Sequence, residues 1–143
     1  MKAPDSTPLH SSSRIYVFRL RPHEDLKLSL QKFALENNIK VAVMVTCVGS
    51  LEQFHLRFAN QPEGTSGNGH FEIVSLVGTL SASAVHLHIS ISDETGATTG
   101  GHLLEKNMVH TTAEIAIAEL TNLEFERSLD PASGYPELMV RHL

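Results

Sequence analysis

Apolar residues along this chain alternate with polar ones far more often than they recur at helical spacing, and that contrast sets the fold class. From Arg14 the run RIYVFRL places Ile15, Val17 and Leu20 among polar or aromatic neighbours, and Pro22 follows. It reads as a first strand with a firm stop, because proline lacks the N–H that a sheet ladder needs. Over residues 24–37 the period changes. Leu26, Leu30, Phe33 and Ala34 recur at three- and four-residue steps, the mark of one helix face. Glu24 and Asp25 suit the positive end of that helix's dipole. Asn37 and Asn38 suit its close, since asparagine tolerates the left-handed conformation found at helix C-termini.

The remaining runs read as strands. KVAVMVTCV is rich in β-branched residues and is expected to end at Gly49 and Ser50, with LEQFHLRFA forming a further strand. Residues 60–69, NQPEGTSGNG, are the expected loop. HFEIVSLVGTLS and SAVHLHISIS are expected to pair as a hairpin through the polar stretch 81–83, and DETGATTGG is a second turn cluster. In HTTAEIAIAEL, alanine and glutamate favour helix, but the threonines and isoleucines favour strand, which is the reading adopted. LEFERSLDPASGYPELMVRHL offers one more strand, a Pro/Gly turn and a short C-terminal strand or tail. Residues 1–13 show no period and are expected to form a disordered tail ahead of one domain spanning 14–143. Several strands with one early helix imply an α+β fold, mainly antiparallel.

Composition narrows the function classes. At 143 residues, 41% hydrophobic and 19% charged, the chain suits a single globular domain. No apolar stretch approaches the roughly 18–20 residues of a membrane helix, and the first residues lack the apolar segment of a secretory signal. An intracellular protein, cytoplasmic or nuclear, is expected. The single cysteine, Cys47, lies in an apolar run and reads as a buried thiol. Net charge is −5, and the eleven lysines and arginines are scattered, which disfavours nucleic-acid binding.

Nine histidines carry the candidate chemistry. In VHLHISIS, strand alternation puts His86, His88, Ser90 and Ser92 on one face and Leu87, Ile89 and Ile91 on the other. Two imidazoles from neighbouring same-face positions can reach one metal ion. His102 follows Gly100 and Gly101, which are expected to let the returning backbone take conformations closed to other residues and pass near the pair. Three imidazoles leave a coordination position open, the arrangement of catalytic zinc, although nickel, copper or ferrous iron also suit such donors. His10, His23 and His142 are assigned no role, and His55, His70 and His110 read as surface or supporting groups.

At this point the sequence resembles the plant and prokaryote conserved (PPC) domain family. The carrying residues are GSL at 49–51, LRFAN at 56–60, GHFEIVSLVGTL at 69–80, HLHISISDETGATTGGHL at 86–103 and VHTTAEIAIAEL at 109–120, with FER at 125–127 and Gly134-Tyr135. The resemblance implies a strongly curved antiparallel sheet with one principal helix, assembled as a homotrimer. It also implies zinc bound by His86, His88 and His102. Two functions follow from it: an oligomerisation and protein-interaction module, or a zinc-dependent lyase or hydrolase resembling acetolactate decarboxylase, with a small-molecule ligand at the metal. For the second, Glu72 is the candidate acid/base and Arg57 the candidate anion anchor, both lying in matching motifs. Plant relatives carry an AT-hook, an Arg-Gly-Arg-Pro motif absent here, and many members have arginine at the position of His70.

Overall fold

The computed structural model describes residues 7–143. Its elements are β1 (Ser13–Leu20), α1 (Leu26–Glu36), β2 (Ala42–Arg57), β3 (Thr65–Leu80), β4 (Val85–Ser92), β5 (Thr98–Leu103), β6 (Met108–Leu120), β7 (Leu123–Leu129) and β8 (Pro136–His142). The first six strands form one antiparallel sheet in the order β1-β6-β2-β3-β4-β5. It does not stay open. The last residues of β2 also pair with β5, Leu56 opposite Leu103 and Arg57 opposite His102, so β2 to β5 curl into a closed ring. The expected α+β class with a curved antiparallel sheet is therefore what forms.

Strand alternation delivers the core. On β4, Leu87, Ile89 and Ile91 are buried inside the ring while His86 and His88 face outward. Helix α1 buries Leu26, Leu30 and Ala34. Asp25 caps its N-terminus, accepting from the Leu28 amide at 3.1 Å and, through its other oxygen, from the Lys106 amide at 2.6 Å. Asn37 is the C-cap, and Asn38 follows at φ 50°, the left-handed conformation expected of this pair. Asn107 is fully buried, and its amide is fully used: it accepts from the His55 N–H and donates to the carbonyls of His55 and Leu104.

Alternation alone leaves the inward face of β1 open, and two expectations, the strand end at Gly49 and the loop over 60–69, are corrected. On β1 it is Tyr16, Phe18 and Leu20 that pack inward, with both aromatic rings against Phe33 of α1, while Ile15 and Val17 face solvent. Two aromatic contacts outweigh two β-branched side chains in choosing the face. The run through Gly49 and Ser50 does not end there: β2 continues for 16 residues, with register shifts along β6 and β3. A Cβ on Gly49 would lie 2.0 Å from the Thr112 carbonyl oxygen, so this glycine admits a close strand neighbour instead of closing a turn. The expected loop over 60–69 is shorter, because β3 starts at Thr65. Gly67 and Gly69 lie under the rings of Phe54 and Phe71, which meet edge to face at 5.0 Å. The C-terminal stretch forms a full hairpin, β7–β8, apart from the main sheet.

Of the expected tail, residues 1–6 lie outside the described residues, whereas Ser11 and Ser12 hydrogen-bond to Asn122 and Thr121. Among the described residues no helix is long and apolar enough to cross a membrane.

Candidate metal centre

His88 and His102 are direct cross-strand partners on β4 and β5, and Arg57 is the partner of His102 on β2. These three side chains therefore form one transverse row on one face of the ring. His86 stands two residues from His88 on that face. The ring centroids lie 5.1 Å (86 to 88), 5.4 Å (86 to 102) and 5.6 Å (88 to 102) apart, and one ligating nitrogen of each falls within 4.8 Å of the others. Nitrogens bound to a single zinc at 2.0–2.1 Å are roughly 3.3 Å apart at tetrahedral angles, so modest side-chain rotation suffices. The donor set fits a divalent transition metal, and among the described residues no fourth protein ligand belongs to the group.

Gly100 and Gly101 earn their place by closeness, not by unusual backbone angles. A Cβ on Gly101 would meet the Arg57 carbonyl oxygen at 2.6 Å, and one on Gly100 the Ile89 carbonyl oxygen at 2.7 Å. Two glycines let β5 press against both β4 and β2, and that closure carries His102 to the pair.

The electrostatics favour the neutral form of His86 and His102, the form that metal binding requires. Burial, then the Arg57 guanidinium and the other two imidazoles, push His102 down to about 4. Burial and Arg127 lower His86 as well, with Glu137 opposing. A lowered pKa means the charged form appears only below it, so His102 offers its lone pair throughout the neutral range. A free imidazole titrating near 6.5 would cost about thirtyfold in metal affinity at pH 5 through proton competition. His102 is expected to contribute almost none of that loss and His86 less than a free ring, so affinity measured by competition with a chelator between pH 7 and 5 should fall by at least about thirtyfold less than for three free imidazoles. A fall as steep as three free imidazoles would refute the assignment.

The histidines open onto a cavity of about 650 Å³ whose walls also include Arg57, Gln61, Val85, Arg127, Tyr135 and Glu137. The last three come from the C-terminal hairpin region. Arg127 Nη2 lies 3.4 Å from His86 Nδ1. Arg127 belongs to the FER motif noted above, whereas Glu137 carries no mark in the sequence.

Glu72 is not brought to this cavity. Its register partner on β4 is Ser92, at the opposite end of the strand from His86, and it lines a separate cavity of about 470 Å³ with His70, His110, Asp93 and Thr111. Near this second cavity the structure assembles a group that spacing does not reveal. The His23 ring bonds to Glu52 at 2.6 Å, Glu52 approaches His110 at 3.8 Å, and His110 packs on His70. Cys47 is buried, and desolvation pushes its thiol up to about 12.

The α+β fold with its curled antiparallel sheet is one that solved relatives of this chain share. The chain belongs to the Plants and Prokaryotes Conserved domain family, whose model matches residues 9–121. It is 41% identical over 134 residues to bifunctional protein GlmU of a Synechococcus strain, a match covering 93% of this chain and 22% of that protein. The chain thus spans about a fifth of the length of that curated relative. Among solved structures it is similar to a hypothetical protein from Salmonella enterica, with 39% identity, a TM-score of 0.92, and coverage of 94% of this chain and 97% of that one. It is also similar to a plant- and prokaryote-conserved protein from Pyrococcus horikoshii, with 26% identity, a TM-score of 0.72, and coverage of 91% and 95%.

Proposed function

We propose that this protein is a zinc-binding module that assembles as a homotrimer and presents the ion's free position to a small ligand. The observation that carries the reading is the convergence of His86, His88 and His102 on one face beside an open cavity. Bound there, zinc supplies a Lewis-acid position to whatever enters. The chain's own residues hold the ion, favour the neutral form of His86 and His102, and line the approach. The absence of Glu72 from this cavity favours binding over lyase or hydrolase chemistry. The match to about a fifth of a larger bifunctional protein also supports a module, since a related stretch forms part of that longer chain.

Assembly has its own support. Ile15, Val17, Val45, Val48, Val74 and Val77 are all more than half exposed on β1, β2 and β3, an apolar spread that isolated soluble domains seldom leave in water. Val17, 77% exposed, is the most open of them. Light scattering should give a mass near three times the 15.7 kDa chain, and Val17→Lys should shift it toward monomer with the fold intact. A monomeric wild type would sink the trimer. For the metal, elemental analysis of protein prepared without chelator should show one zinc per chain. Turnover of simple esters or of 2-oxo and β-keto acids, abolished in His88→Ala, would replace the module with the enzyme.

A further inference from the structure

We infer that the cavity beside the histidines selects a small oxyanion, gripped by Arg127 of the C-terminal hairpin together with Arg57. This rests on the zinc reading above. The charge balance of the walls is the first argument. Arg57 and Arg127 face the cavity against one carboxylate, Glu137, while the metal-binding donors are three uncharged rings. A zinc ion adds two positive charges to those two guanidiniums, and Glu137 removes one, leaving an excess of three. Such an excess in a partly enclosed site calls for an anion.

Hydrogen-bond chemistry gives the second argument. The Arg127 guanidinium donates toward Nδ1 of His86 at 3.4 Å. A neutral imidazole has one lone pair in its plane, and when a metal takes it the other nitrogen carries a hydrogen. With zinc on His86, Arg127 loses its acceptor there while still lining the cavity beside the ion. An oxyanion that places one oxygen on the metal and another on the guanidinium satisfies both at once, and the planar fork of arginine suits carboxylate and phosphate alike. Arg57, next to His102 in the transverse row, lines the same cavity. The hairpin that brings Arg127 follows the residues matched by the family model, 9–121.

The experiment uses the full chain loaded with cobalt(II), whose visible bands respond to a ligand at the open position. Acetate and methylphosphonate are titrated, with neutral acetamide as the isosteric control. One or both anions should shift the bands saturably, the tighter of the two identifying a carboxylate or a phosphate as the favoured source. Acetamide should fail at ten times the concentration. Arg127→Gln should weaken the anion at least tenfold and Arg127→Lys less, with one cobalt per chain in each. Equal binding of acetate and acetamide, or unchanged anion affinity in Arg127→Gln, would overturn the inference and leave the metal site standing. Failure to take up cobalt at all would overturn both.

Discussion

Gly49→Ala is expected to lower the free energy of unfolding by about 3–5 kcal/mol, among the largest effects of any single methyl group added to this chain. The new Cβ would sit 2.0 Å from the Thr112 carbonyl oxygen and 2.8 Å from the Ala113 Cα. Both are backbone atoms in the middle of β6, so neither can swing aside. Relief requires β2 and β6 to separate where Gly49 pairs with Ala113. Urea denaturation followed by circular dichroism measures the loss. Gly96→Ala is the control, because Gly96 has a left-handed φ of 81° but nothing within 4 Å of an added Cβ. It should cost only about 1 kcal/mol, from conformation alone. Similar losses in the two variants would show that close packing at Gly49 has been misjudged.

His102→Ala should weaken zinc binding by on the order of 10²–10³-fold. Four-ligand zinc sites hold their ion with about 10–16 kcal/mol, which apportions about 2.5–4 kcal/mol to each ligand. His102 is the ligand delivered by ring closure, and its removal leaves only the pair on one strand. His70→Ala is the matched control: His70 packs on His110 beside the other cavity and should leave the metal untouched. Chelator competition separates the two. Equal losses, or none in His102→Ala, would remove the three-histidine centre.

Much of this architecture was legible in residue order because the physics behind it is local. The helix showed itself through Leu26, Leu30 and Ala34, and the face separation of VHLHISIS through simple alternation, both of which depend only on near neighbours. Glycine misled where its role was tertiary. Gly49 looked like a strand end, and Gly67 and Gly69 looked like a loop, because a residue without a side chain signals a turn and a close approach in the same way. The face of β1 was not legible for a related reason: Phe33 of α1 decides it, and no alternation rule knows which face a helix will cover. At the candidate site the three histidines were accessible from spacing, but the cavity they share was not. Its far wall comes from a hairpin some 40 residues on from β4, and only packing of the second sheet places Arg127 beside His86. Glu72 shows the converse, since a motif gives a residue's strand but not the end of the barrel it reaches.

The burial of Cys47 gives the protein an internal clock for its own openings. It is the single cysteine of the chain, and it lies on β2 opposite Ile115 of β6. With its thiol held near 12, the nucleophilic thiolate is a trace species at pH 8 while the strands stay paired. An alkylating reagent will therefore mark only molecules whose β2–β6 seam has parted. The rate of labelling becomes a count of those partings, readable by mass spectrometry without adding any foreign probe.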